Sequence, residues 1–345
     1  MRKILFGVAL ALLVGAFGCG EKKPVLHIYT WSDYVDPELI DRFEAENNCR
    51  VVVDTYNSNE SMYAKLKAGA RGYDLLFPSS YMVKLMHDQG MLEELDHTRL
   101  PNLGNIDPAY LALALDTEMA YSVPYTVTIT CLGYRGSRVE NFEPTWAMFD
   151  RTDLKNRMTL LDDYREVIGA ALKFLGYSIN TLDDAQLKEA KDVVLRWKKN
   201  IAKFENEQYK TGLASGEFLL THGYSGDLML VQGENDDIQI DIPREGSVFS
   251  FDDMVIPVGA RQPDLAHRFI NFVLEPAVAA QLTEFIYFLC PNTPSYEFLS
   301  DEIREDPILF PPEDVVAKLE MIRDLGADNE KYTKLWDEIK AGDAR

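Results

Sequence analysis

The residues with the clearest chemical capacity stand together at Trp31-Ser32-Asp33-Tyr34. Two aromatic side chains flank a hydroxyl and a carboxylate. Such a set suits an organic cation. Ring faces attract ammonium groups and pack on methylenes, and Asp33 offers a charge-assisted acceptor. A second acidic pair, Asp163 and Glu166, has i,i+3 spacing, which puts both on one face of a helix. That spacing equally suits first-turn acids that stabilise a helix dipole. Paired carboxylates also serve hydrolases. Against an enzyme, the chain carries no nucleophile elbow, catalytic triad or phosphate loop. The His residues are scattered, without metal-ligand spacing, so neither a zinc site nor any cofactor is expected.

These side chains need a frame. The apolar run 25–30 is predicted as a strand ending at Trp31, and Asp36-Pro37 opens a helix over 37–48. Strand 50–56, helix 60–69, strand 73–78 and helix 80–89, closed by Gly90, follow in alternation. That order implies a parallel sheet with right-handed crossovers. Its strands end in Trp31 to Tyr34, Asn57 to Asn59, and Pro78-Ser79-Ser80-Tyr81. All three clusters fall on the carboxyl edge, where open α/β sheets bind ligands. Tyr121 to Tyr134 reads as a strand leaving this domain, and Phe251 to Pro257 as one returning. Between them lie strand 157–161, helix 163–175, helix 183–201, strand 217–222, helix 226–232 and strand 237–243. Helices near 264–274 and 276–287 rejoin the first unit. Two crossings imply two discontinuous α/β domains with a cleft between them. The expected division is 25–124 plus 254–305 against 125–253 plus 306–345.

The N-terminus is a targeting segment. Arg2 and Lys3 precede an apolar run from Ile4 to Gly18, short of a bilayer span. Residues 1–18 read as a signal peptide, followed by Cys19. The segment around Cys19 resembles the lipobox of bacterial lipoproteins, which implies lipidation of that thiol. The expected mature protein is exported, anchored to the membrane only through its N-terminal lipid, and otherwise soluble. The formal charge is −21, and removing Arg2 and Lys3 makes it −23. Such a balance argues against nucleic acid and against a basic membrane-binding face. Cys49, Cys131 and Cys290 lack disulfide-framework spacing and read as buried free thiols.

With these residues in view, the chain closely resembles the periplasmic polyamine-binding proteins of ABC importers. The resemblance rests on IYTWSDYV (28–35), YDLLFPSSYMV (73–83), YSVPYTVTITCLGY (121–134) and LLDDYREV (160–167). GYSGDL (223–228), PREGSVFSFDDMVIP (243–257) and LFPPEDVVAKL (309–319) extend it over about residues 25–342. It implies a type II periplasmic-binding-protein fold, two α/β domains that close on ligand. It further implies a monomer that captures putrescine or spermidine and hands it to an ABC permease. Carried over residue by residue, the resemblance places Trp31, Ser32, Asp33 and Tyr34 at the first strand tip. Ser79 and Tyr81 fall at the third. Asp163 and Glu166 are expected to hold an amine, and Asp252 a terminal ammonium. Glu284 matches an acidic ligand-contacting position. The Ser32-Asp33 pair is the form of the putrescine-binding branch.

The chain departs from the family pattern at several positions. Tyr224 stands where Trp is usual, and Ser250 where an aromatic is usual, with Phe251 expected to supply that ring. Phe288 aligns with a Tyr and so loses a hydroxyl, and Ile322 aligns with a Gln. The other readings are a same-fold protein for iron, sulfate or an amino acid, a hydrolase, or a surface interaction protein. Anion sites want cationic or backbone-donor tips and iron sites want tyrosine clusters with His; these tips carry acids.

Overall fold

The computed structural model describes residues 23–342. The expected signal peptide and Cys19 lie outside them. The chain begins β1 (Val25–Thr30), α1 (Pro37–Asn47), β2 (Arg50–Thr55), α2 (Asn59–Lys67), β3 (Leu75–Leu76) and α3 (Ser80–Asp88). These strands form a parallel sheet in the order β2-β1-β3. Central β1 is covered on both sides. Leu26 and Ile28 pack with Leu39, Phe43 and Phe269 on one face. Tyr29 packs with Met62, Leu66, Met82 and Met86 on the other. Asp36 caps α1, accepting the Glu38 N–H at 2.8 Å.

A short helix α4 (Pro108–Leu111) leads to β4 (Val123–Arg135), the long strand of the molecule. It is followed by β5 (Met158–Leu160), α5 (Tyr164–Phe174), α6 (Asp184–Lys198) and β6 (Lys203–Phe204). Then come α7 (Gln208–Ser215), β7 (Leu220–Tyr224), α8 (Ser225–Glu234), β8 (Ile238–Asp241) and β9 (Val248–Met254). α9 (Pro263–Val273) and α10 (Pro276–Ile286) return to the first lobe, and α11 (Asp301–Arg304) and α12 (Glu313–Val316) follow. β10 (Glu320–Met321) and α13 (Asn329–Ala341) complete the chain. The second sheet runs β10-β9-β4-β7-β5-β6, with β8 also on β4. Its core gathers Trp146, Trp197, Tyr209, Leu220 and Phe251.

Two strands join the lobes. β4 buries Val123 and Tyr125 in the first core and Val127 to Leu132 in the second. Its antiparallel pairing with β9 shifts register between Pro124 and Thr126. β9 in turn meets the first sheet, where the Leu76 and Val255 amides exchange bonds with each other's carbonyls at 2.9 and 3.0 Å. The crossing strand at the cleft is thus fixed in both lobes.

The sequence expectations differ at a few places. The regular part of the third strand shrinks to β3, because residues 78–79 turn to follow β9. The helix before Gly90 is capped by Gln89, with Gly90 at φ +65° just after it. Helices α7 and α13 have no counterpart in the sequence reading. The cysteines at 49, 131 and 290 are free and buried. Among the described residues no single helix is long and apolar enough to cross a membrane.

Candidate functional site

A cavity between the lobes is lined by strand tips from both sheets. On the first lobe, Trp31 and Tyr34 follow β1. The Trp31 indole donates to the Phe77 carbonyl at 2.9 Å, and its ring meets Tyr56 at 4.5 Å. With its N–H already committed, its remaining surface is apolar. Asn59, at the start of α2, ties the tips together. Its amide donates to the Ser79 and Tyr81 hydroxyls, both at 3.1 Å, and its carbonyl accepts the Ser79 N–H at 3.1 Å. Tyr81 then donates to Glu60 at 3.1 Å.

Asp252 sits at the centre, on β9 where the lobes meet. Its two oxygens accept the Ser79 hydroxyl at 2.6 Å and the Tyr34 hydroxyl at 2.5 Å. Tyr34 accepts from Thr126 at 2.5 Å in turn. Asp252 is 6% exposed. Burial pushes its carboxyl up to about 6, while the Ser79 and Tyr34 bonds pull the other way. The strand pleat decides which neighbours join it. Ser250 and Asp252 face the cavity; Phe251 and Asp253 face away. Asp253 accepts the Ser80 hydroxyl instead, at 2.6 Å.

The second lobe supplies Asp163, Glu166, Tyr224, Lys210 and Asp227. Asp163 is the N-cap of α5: one oxygen accepts the Arg165 and Glu166 amides at 2.8 and 3.2 Å. The helix-dipole role and the cavity role therefore coexist in one residue. Glu166 is 3% exposed and accepts only the Thr130 hydroxyl, at 3.0 Å. Burial raises both carboxyls, and the charge of Asp163 raises Glu166 further. Glu60, at the start of α2 on the first lobe, lies close enough to Asp163 to feel its charge. Desolvation and that charge push its carboxyl upward as well. Among the described residues no Lys, Arg or His forms an ion pair with Asp163, Glu166 or Asp252.

Ten of the expected ligand contacts line this cavity: Trp31, Ser32, Tyr34, Ser79, Tyr81, Asp163, Glu166, Tyr224, Asp252 and Phe288. Three do not. Phe251 is fully buried in the second core, because alternation along β9 turns it away from the face that Asp252 occupies. Glu284 accepts the Ser300 N–H at 2.6 Å, holding the chain that follows α10, and lies off the lining. Asp33 sits at φ +55° with its side chain 71% exposed, 3.9 Å from Lys210 on the opposite lobe. The sequence reading missed Asn57, Asn59, Glu207, Lys210 and Asp227. The cluster Asn57 to Asn59 was visible as a strand tip; α7, which carries Lys210, gave no local signal.

The arrangement is a desolvated anionic slot walled by rings. An alkyl chain with an ammonium at each end would satisfy the acids and cover its methylenes against Trp31, Tyr224 and Phe288. Residues 38–311 match the bacterial extracellular solute-binding protein family model. A putrescine/cadaverine-binding protein of Pseudomonas aeruginosa is 36% identical, covering 99% of both chains. The spermidine/putrescine-binding periplasmic protein of Escherichia coli is 34% identical, over 99% of this chain and 98% of its own. Among solved structures, the TpPotD lipoprotein of Treponema pallidum superposes with a TM-score of 0.83 at 35% identity. It covers 91% of this chain and 99% of that one.

Proposed function

The chain belongs to the bacterial extracellular solute-binding protein family, and on that basis we propose that it captures polyamines in the interdomain cleft and delivers them to an ABC permease. The carrying observation is the buried pair Glu166 and Asp252 with half-buried Asp163, faced by aromatic rings and without cationic partners among the described residues. A carboxylate taken out of water is costly unless a cation receives it with good geometry. A polyamine supplies separated ammoniums at once, and its spacer recovers roughly 0.8 kcal/mol per buried methylene. The names of the relatives, which bind putrescine, cadaverine or spermidine, support the same ligand class. This chain is read as the binding component of a transport system rather than as an enzyme.

The site in this reading consists of Trp31, Ser32, Tyr34, Ser79, Tyr81, Asp163, Glu166, Tyr224, Asp252 and Phe288. The division into residues 25–124 plus 254–305 and 125–253 plus 306–345 places the hinge where β4 and β9 cross. Export as a monomer with lipid on Cys19 completes the proposal; a relative that is a lipoprotein supports the lipid. Mass spectrometry of the native N-terminus tests that part, with Cys19 expected as the modified first residue and retention of Met1 counting against it. Calorimetry with putrescine, cadaverine and spermidine tests the ligand class. One polyamine per chain is expected. No heat and no thermal shift with any of them, alongside a response to iron or an amino acid, would remove the reading.

A further inference from the structure

The cavity holds one cation of its own. Lys210 projects from α7 into the lining with its side chain 14% exposed. Its ammonium stands 3.4 Å from Asp227 on its own lobe and 3.9 Å from Asp33 on the other. Asp227 is fixed in turn by the Tyr209 hydroxyl at 2.5 Å, and Tyr209 also accepts the Tyr224 N–H at 3.3 Å. The lysine is therefore held in a built position. Burial pulls its ammonium down, but the charges of Asp227, Glu207 and Asp33 more than offset this and keep it above its ordinary 10.5. It is charged at any physiological pH.

Three anionic positions thus lie along the cleft: Asp252, the Asp163–Glu166 pair with Glu60 opposite, and Asp227 with Glu207 in the lining and exposed Asp33 across from Lys210. Among the described residues, only the third already holds a cation of the chain, Lys210. We infer that Lys210 is a specificity-determining residue, a tethered ammonium that fills the third anionic position and leaves room for a diamine but not for the third charge of a triamine. The inference rests on the polyamine reading and sharpens it to ligand charge count. Asp33, which the sequence assigns to ligand, is then the lysine's partner across the cleft. A triamine that reached this end would meet a like charge already engaged with Asp227 and Asp33, and like charges repel strongly in a partly desolvated site.

The test compares putrescine and spermidine by calorimetry on the full mature protein and three variants. Lys210→Met keeps the aliphatic stem and removes the charge, Lys210→Arg keeps the charge, and Lys188→Met removes a charge from an exposed helix away from the cleft. In Lys210→Met, spermidine affinity relative to putrescine should rise at least tenfold, with putrescine itself within about threefold of wild type. Lys210→Arg and Lys188→Met should keep the wild-type ratio. Lys210→Gln repeats the measurement should the Met variant fail to fold. An unchanged ratio, a parallel change for both ligands, or the same rise in Lys188→Met would overturn the inference while polyamine binding stands. Failure of wild type to bind any polyamine would remove the ligand reading itself.

Discussion

Asp252 concentrates the site's energetics in one carboxylate. Both of its oxygens are oriented by hydroxyl donors, and each retains a lone pair for an ammonium. Truncation to Ala leaves that ammonium buried and unpaired, so affinity should fall by about 2–5 kcal/mol, at least roughly thirtyfold. Asp252→Asn keeps the shape and should fall between the two. Asp253→Asn is the control, since it keeps an acceptor for Ser80 and lies on the far side of the strand. Equal losses at both positions, abolished by salt, would mean long-range steering. The pH response follows from the same residue. Its folded value of about 6 lies above the ordinary 3.8, so between them the folded state binds more protons than the unfolded chain. Ligand-free stability therefore falls as pH rises through that window, on the order of 3 kcal/mol from this group. A bound ammonium favours the ionised form. Affinity should then strengthen about fourfold or more from about pH 5.5 to 7.5, with protons released on binding. Calorimetry in two buffers of different ionisation enthalpy reads that release; proton uptake would contradict it.

The first turn of α5 carries two functions on one residue. Asp163 caps the helix through the Arg165 and Glu166 amides and also faces the cavity. These roles separate by substitution. Asn caps about as well as Asp, whereas Ala removes the cap at a cost of about 1 kcal/mol. Asp163→Asn should keep the melting temperature and lose ligand affinity. Asp163→Ala should lose both. Thermal melts beside titrations check this, and an Asn variant with full affinity would leave Asp163 as a cap alone. The same element orients Glu166, whose Thr130 partner sits on β4, so helix and crossing strand aim the acids together.

Across the molecule, β4 and β9 are paired strands that cross between the lobes at the cleft, with Lys210 and Asp33 facing each other over it. The register shift between Pro124 and Thr126 falls where β4 passes from one core to the other. A ligand that contacts both walls binds the closed arrangement better than the open one and so shifts the population. Small-angle scattering should show a smaller radius of gyration at saturating putrescine. An unchanged radius with ligand demonstrably bound would rule out closure.

Strand-helix alternation, the tips of β1 and β3, the two crossings and the acidic pair at 163 and 166 were readable locally, and Asp252 through the family resemblance. Period-two and helical patterns are written into neighbouring residues, and the strand tips carry their polar clusters in sequence order. The same periodicity already separates Phe251 from Asp252. What local pattern could not supply was which acids remain free. Asp33 and Lys210, far apart in the chain, meet only when the lobes face each other. Glu284 turns to an amide of the chain beyond α10, a choice set by how that chain packs. Charge pairing acts through space at a few ångströms, so the ligand-facing balance of this acidic protein follows from the relative placement of its two lobes.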